Sequence, residues 1–160
     1  MTQTRTVERA VERPRSFDHA TAPEPARAPS GAALRMLGAL TLLAVGAVHL
    51  DQYFAVHFRV IPTIGPLFVL NFAAATVMGL LLLLPYERTA GPRRAFGGLL
   101  ALGGMGLAAT AFVFLFVSEH QPLFGFQDYG YRPAILAALA AEAATVVLLG
   151  TYLATLARRR

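Results

Sequence analysis

Residues 95–118 read AFGGLLALGGMGLAATAFVFLFVS and contain no charged side chain. A helix of this length spans the hydrocarbon core of a bilayer, which is about 30 Å thick. Three further apolar runs occupy about 33–54, 63–84 and 133–157. Each reaches about 20 residues, and none has the polar face that a helix in water would show. The sequence therefore predicts an all-α fold in which four transmembrane helices form a bundle.

The composition favours the same fold class. Apolar residues make up 56% of the chain and charged residues 14%, whereas soluble domains carry about 25% charged residues. The chain has no cysteine, which excludes disulfides, thiolate metal sites and cysteine nucleophiles. The net charge of +5 comes from arginines that flank the apolar runs instead of forming one basic patch. We expect the lipid bilayer as partner and no nucleic acid.

The positions of the arginines predict the topology. All but Arg59 and Arg132 lie before or at the start of the first span, between the second and third spans, or after the fourth. Cytoplasmic segments retain Arg and Lys, so we expect both termini and the middle loop in the cytoplasm. Residues 55–62 and 119–132 then form the outer loops. All basic residues are Arg and none is Lys, which hints at a bacterium with a high genomic GC content. We predict a multi-pass protein of the bacterial plasma membrane.

The chain divides into two regions. Residues 1–30 are rich in Pro, Ala, Arg, Glu and Thr and contain few large apolar side chains. Such a segment buries too little surface to offset the entropy of ordering, so we predict a disordered cytoplasmic tail. Residues 31–160 form the predicted membrane domain.

Span three carries small residues at spacings of four, three, four and three. They are Gly97, Ala101, Gly104, Ala108 and Ala111. This spacing places them on one helix face, where small side chains let two membrane helices approach closely. We predict that this face contacts a matching face of span four, formed by Ala134, Ala138, Ala141 and Thr145. Dimerisation through the same glycines is the alternative.

Polar residues inside three spans share one predicted depth. Glu142, Asn71 and Thr110 each lie roughly 13–15 Å from the outer boundary, and His49 lies about one turn nearer to it. A charge at this depth is costly, so it should face the bundle interior and find a partner. One interpretation is a layer of interhelical hydrogen bonds in which Glu142 is protonated. The other is a relay for protons or cations through Glu142 and His49.

A second polar cluster is predicted at the outer end. Its members are His49, His57, His120, Asp51 and Glu119, together with Asp128. Histidines and carboxylates can ligate zinc or copper, and His49 with His120 could hold a b-type haem between two helices. Neither His49-Leu50-Asp51 nor Glu119-His120 has the spacing of a metal motif, and the first pair points about 200° apart on a helix. Solvated interface residues are the simpler explanation, with no cofactor bound.

No phosphate-binding loop, nucleophile elbow or two-histidine zinc helix is present in the sequence. We therefore expect no enzyme. The leading hypothesis is an accessory or scaffold subunit of a membrane assembly, with a protein partner or a second copy of the chain. The alternatives are a small oligomeric carrier or ion-handling protein that uses Glu142 and His49, and an outer-face metal or haem protein of a redox system.

Two segments carry a resemblance to known proteins. His49-Leu50-Asp51 followed by the run from Ile61 to Phe68 (IPTIGPLF), and the later run from Leu123 to Phe126 (LFGF) with Tyr129 and Glu142, are similar to small four-span membrane proteins of actinobacteria. The resemblance covers about residues 34–156. It implies a location in the bacterial plasma membrane and carries no catalytic residues.

Overall fold

The computed structural model describes residues 30–55, 57–86, 91–127 and 129–158. Within these ranges the helices are α1 (Gly31–Ala55), α2 (Ile64–Leu82), α3 (Pro92–His120) and α4 (Pro133–Ala157), with a 3-10 helix at Phe58–Val60. All four α-helices are long and apolar enough to cross a membrane. The predicted all-α fold class is thus confirmed. Of the predicted disordered tail, only Ser30 belongs to the described residues.

Local sequence signals explain where the helices begin. Pro92 and Pro133 occupy the first positions of α3 and α4, where the missing N–H costs no hydrogen bond and the fixed φ suits a helix. The hydroxyl of Ser30 accepts a hydrogen bond from the N–H of Ala33 at 3.2 Å, which caps α1.

The helices pack in the order α2, α1, α4, α3 around the bundle. α1 packs extensively against both α2 and α4, and α3 packs against α4, whereas α2 and α3 contact each other less. The connections 57–63 and 121–132 lie at one end, which we call the double-loop end. The opposite end, where α1 and α3 begin and α2 and α4 finish, is called the terminal end. The looser seam between α2 and α3 positions the candidate site.

The small residues of α3 face the bundle interior. Gly97, Ala101, Gly104 and Ala108 are buried, and Ala111 is partly buried. A Cβ atom on Gly104 would lie 2.7 Å from Leu42 of α1 and 3.2 Å from Leu149 of α4, and one on Gly97 would lie 2.5 Å from the Tyr86 ring. This face therefore contacts α1 and Tyr86 as well as α4, a wider set of neighbours than the predicted pairing with span four.

One residue of the predicted α4 face contacts α1. The hydroxyl oxygens of Thr145 and Thr41 lie 2.9 Å apart. Thr145 is fully buried, and Ala138 is buried on the same face. Ala134 and Ala141 are partly buried. Thr145 of the predicted face thus also forms part of the interface between α4 and α1.

Arginine side chains cap helices at the terminal end. Arg35 is buried and its guanidinium donates to the carbonyl of Leu82, at the end of α2. Arg94 donates to the carbonyl of Leu156, near the end of α4, at 2.8 Å. The last carbonyls of a helix lack partners within it, and cations there also favour the helix dipole. These arginines therefore fix neighbouring helices to one another.

Large apolar side chains cover much of the outer surface of the bundle. Leu70, Leu99 and Val147 each expose 64–65% of their surface. Contiguous exposed apolar surface of this kind is rare in soluble monomers, and lipid solvates it without cost. The surface is therefore compatible with an integral membrane protein that has several spans.

Candidate functional site

A cavity of about 360 Å³ lies at the double-loop end, between α2 and α3. Its lining is mostly apolar and includes residues from all four helices and from the connection between α3 and α4. Exposed residues of α2 and α3, such as Leu70, Thr110 and Phe114, belong to this lining. The cavity therefore opens sideways through the seam where α2 and α3 pack loosely. Its volume falls in the range of pockets for small ligands, about 300–1,000 Å³.

Aromatic side chains close the cavity toward the double-loop end. Phe58 is buried and its ring packs edge-on against Phe68 at 5.1 Å and against Phe126 at 5.3 Å between ring centroids. Phe124 packs in the same manner against Phe114 at 6.1 Å. Such edge-to-face pairs are favourable beyond the area that they bury. The rings thus join the two loops into a cover over the cavity.

A tight turn holds two of these rings in place. The backbones of Leu123 and Phe126 exchange two hydrogen bonds of 2.7 and 2.9 Å, and the residues between them, Phe124 and Gly125, have φ of 52° and 78°. Two positive φ values in succession are typical of the type I′ turn. Glycine adopts such a φ without cost, whereas Phe124 does so with strain.

Gln52 is a polar residue of the cavity wall that sequence analysis did not single out. It exposes only 7% of its surface, and its Nε2 donates to Asp51 Oδ2 at 3.1 Å. That bond fixes the amide orientation, because the opposite orientation would place an oxygen against a carboxylate. Oε1 is buried and has no hydrogen-bond partner among the described residues.

Two further polar residues of the predicted layer line the cavity beside Gln52. His49 is partly buried and its Nδ1 lies 2.9 Å from the carbonyl oxygen of Val45. A carbonyl only accepts, so Nδ1 carries the proton and Nε2 is an acceptor in the neutral ring. The Oδ1 atom of Asn71 is buried and, within the described residues, has no partner. His49 and Asn71 therefore add acceptor groups to the residues that form the cavity wall.

Glu142 lies one helical turn beyond Ala138, which lines the cavity, toward the terminal end. Its side chain is fully buried, and neither carboxyl oxygen has a hydrogen-bond partner in the described part of the chain. The predicted hydrogen bonds from Glu142 to Asn71, Thr110 or His49 are therefore not formed in this structure. A buried polar group without a partner is uncommon and calls for a physical explanation.

Thr110 departs most clearly from the predicted interior layer. It lies on the exposed surface of α3, at the rim of the cavity. Asn71 also lines the cavity, from α2. The predicted layer is thus divided: Asn71, Thr110 and His49 face the cavity, and Glu142 lies in the protein core beneath it.

The predicted outer cluster does not converge in the described residues. Asp51, His57 and His120 are exposed, and Glu119 is partly buried. The Nδ1 of His120 donates to the carbonyl of Phe116 in its own helix at 2.7 Å. No group of three or more His, Asp or Glu side chains in the described ranges could hold a metal ion. Asp128 lies outside those ranges, and the haem and metal hypotheses stay predictions.

Comparisons with known protein families, with characterised proteins and with solved structures find no match to this chain. The resemblance to four-span actinobacterial proteins therefore also stays a prediction.

Sequence reasoning missed Gln52 and Phe58, two residues that define the cavity. Gln52 follows His49 by three positions, so that both lie on one face of α1, and this spacing was the available signal. Phe58 lies in a loop, where an aromatic residue is equally typical of an anchor at the membrane–water interface. Its burial follows from contacts with Phe68 and Phe126, which no local pattern encodes.

Proposed function

We propose that the chain is a non-enzymatic integral membrane protein that binds an apolar molecule dissolved in the bilayer. The observation that carries the proposal is the cavity of about 360 Å³, which is mostly apolar and is lined by exposed residues of the α2–α3 seam. An opening toward lipid admits a membrane-soluble molecule without passage through water. Binding rather than catalysis fits the absence of any catalytic motif in the sequence.

The orientation in the membrane belongs to the same proposal. The arginine distribution supports cytoplasmic termini in a bacterial plasma membrane, which places the cavity in the outer leaflet. A binding subunit of a larger membrane assembly is the role that suits so small a protein, with the apolar surfaces of the helices available to a partner.

Photolabelling tests whether the cavity is occupied. The purified protein in lipid nanodiscs is irradiated with a diazirine derivative of a short isoprenoid hydrocarbon, and labelled residues are mapped by mass spectrometry. We expect labels on cavity residues, with labelling suppressed by excess unlabelled hydrocarbon. Ala74→Phe should fill the cavity, since Ala74 is part of its lining, and should reduce this labelling at least about tenfold.

Ala73→Phe is the matched control. Ala73 precedes Ala74 and is exposed on the surface of α2, so the same ring points into lipid and should leave the cavity labelling unchanged. Labels spread evenly over the exposed apolar surface, with equal yields in both variants, would contradict the proposal.

Glu142 supports a second candidate function, proton handling. Its two buried oxygens lack partners among the described residues, and intramembrane acids often serve proton relays. Proton flux into vesicles that contain the protein, driven by a pH gradient, tests this role. Flux should be lost in Glu142→Gln and kept in Glu119→Gln. Glu119 also has one buried oxygen without a partner among the described residues, but it lies at the double-loop end of α3 and not within the bundle core. Equal flux in both variants rules out the relay.

A further inference from the structure

The polar side chains of the cavity wall offer mainly hydrogen-bond acceptors. Gln52 Oε1 and Asn71 Oδ1 are buried acceptors without partners among the described residues, and His49 offers Nε2 as a further acceptor while Nδ1 is engaged by Val45. Ser118 donates its proton to the carbonyl of Leu115 at 2.8 Å, which leaves only lone pairs. Four of the five polar side chains of the wall therefore offer hydrogen-bond acceptors, and the fifth, the hydroxyl of Thr110 at the rim, can donate or accept.

Gln52 is the most decisive of these groups. Its side chain is more than nine-tenths buried, and its bond to Asp51 fixes which end of the amide is free. An unmade hydrogen bond at a buried carbonyl costs about 1–3 kcal/mol. A ligand group that donates to Oε1 would recover this cost, whereas a pure hydrocarbon would leave it in place.

The cavity also limits the size of the ligand. A volume of about 360 Å³ lies near the lower end of the range for ligand pockets, about 300–1,000 Å³, so the cavity encloses a small ligand or one end of a longer one. The apolar majority of the wall requires that most of the enclosed atoms be carbon.

We infer that the cavity binds a small lipidic alcohol, whose hydroxyl donates to Gln52 Oε1 while its hydrocarbon skeleton fills the apolar space toward the α2–α3 seam. This inference rests on the proposed function and adds the chemical class of the ligand. Asn71 of α2 is a second acceptor in the wall of the same cavity. The hydroxyl of an isoprenoid alcohol and the phenolic hydroxyl of a hydroquinone share this chemistry.

A matched pair of competitors tests the inference. Geraniol and its methyl ether have nearly the same skeleton, but only geraniol donates a hydrogen bond. Each is titrated against the diazirine hydrocarbon probe in nanodiscs that contain the native protein. We expect geraniol to displace the probe at about tenfold lower concentration than the ether, which corresponds to one hydrogen bond in a dry site. A short alkyl hydroquinone and its dimethyl ether, run in parallel, show which hydroxyl class binds more tightly.

The variant Gln52→Leu tests whether Oε1 of Gln52 is the acceptor that causes the preference for geraniol over its methyl ether. The tenfold difference between geraniol and its ether should disappear in this variant and persist in Gln121→Leu, since Gln121 is exposed and lies outside the cavity lining. If Gln52→Leu does not fold, as judged by size-exclusion chromatography, the competitor pair on the native protein still decides the ligand class.

The outcomes separate the two proposals. Equal displacement by the alcohol and by the ether overturns the hydroxyl assignment and leaves the apolar site standing. A difference that persists in Gln52→Leu overturns the role of Gln52. No displacement by any competitor, together with absence of cavity labels, overturns the proposed function itself.

Discussion

At the scale of single residues, the polar side chains of the bundle fall into two groups. Arg35 is buried but donates to the last turn of α2, and Thr41 and Thr145 lie within hydrogen-bond distance of each other. Glu142 and Gln52 are also buried, yet both carboxyl oxygens of Glu142 and the Oε1 of Gln52 lack partners in the described part of the chain. The first group stabilises the fold, whereas the second group lowers stability and therefore invites a functional explanation.

Glu142→Leu should make the protein more stable. The substitution removes a fully buried carboxyl and replaces it with an apolar side chain of similar size. We expect a gain of about 1–3 kcal/mol in the free energy of unfolding, the usual cost of an unsatisfied buried polar group. Thermal unfolding in detergent measures the gain. A loss of stability would show that Glu142 has a stabilising partner, and any proton flux should vanish in the same variant.

Sequence reasoning located the polar residues but not their partners. The position of Glu142 within an apolar run was enough to place it inside the bundle. Its lack of hydrogen bonds depends on the rotation of α2 and α3 about their axes, which leaves Asn71 and Thr110 at the cavity. For Gln52, beside the polar Asp51, the spacing from His49 indicates a shared helix face, but only the orientation of α1 shows that this face is buried.

At the scale of helices, glycines decide how closely α3 approaches its neighbours. Gly104 is buried where a Cβ would collide with Leu42, whereas Gly106, two residues later, is exposed and would meet nothing within 4 Å. The two positions share the same helix and differ only in the face on which they lie. Substitutions at these two positions therefore distinguish the effect of side-chain packing from the effect of intrinsic helix propensity.

Gly104→Ala and Gly106→Ala should change stability in opposite directions. We expect Gly104→Ala to cost about 1–3 kcal/mol, because the added methyl overlaps Leu42 and crowds Leu149, two fully buried side chains that must shift. Gly106→Ala should stabilise the protein by about 0.5–1 kcal/mol, because alanine favours the helix and no contact is disturbed. Both changes are measured by the same detergent unfolding assay. A similar loss at both positions would place Gly106 in an interface with a second molecule.

The helices themselves were predictable because apolar runs of membrane length carry a strong signal. The arrangement of the helices was less predictable from the sequence. The periodic small residues of α3 predicted a close contact, but not that Leu42 of α1 and Tyr86 would also fill that face. Small residues indicate where a helix permits approach, and only the side chains opposite them determine which helix approaches.

At the scale of the whole molecule, the orientation in the membrane determines which solution the double-loop end faces. The four helices place both described ends of the chain on the terminal side of the bundle, with Arg94 and Arg158 nearby. The arginine distribution favours the cytoplasm for this side. In the proposed orientation, the aromatic cover and the cavity face the outside of the cell.

Fusions to a phosphatase that is active only outside the cytoplasm test this orientation. A fusion after Arg160 should be inactive, because four spans return the chain to the cytoplasm. A fusion after Gln121 should be active, because three spans leave it outside. Immunoblots must show comparable amounts of both fusions. The reverse pattern of activities would show that the molecule has the opposite orientation, with the cavity in the cytoplasmic leaflet.

The position of α1 between α2 and α4 has a consequence for biogenesis. α1 leaves the ribosome first, yet its partner Thr145 is synthesised 104 residues after Thr41. α1 and α2 can pair early, and the hydrogen bond from Arg35 to the end of α2 stabilises this pair. The side of α1 that later contacts α4 is meanwhile covered only by lipid or by an insertase. The native bundle is therefore completed only when the last helix enters the membrane, and a chain truncated before α4 leaves α1 half uncovered for quality-control proteases to recognise.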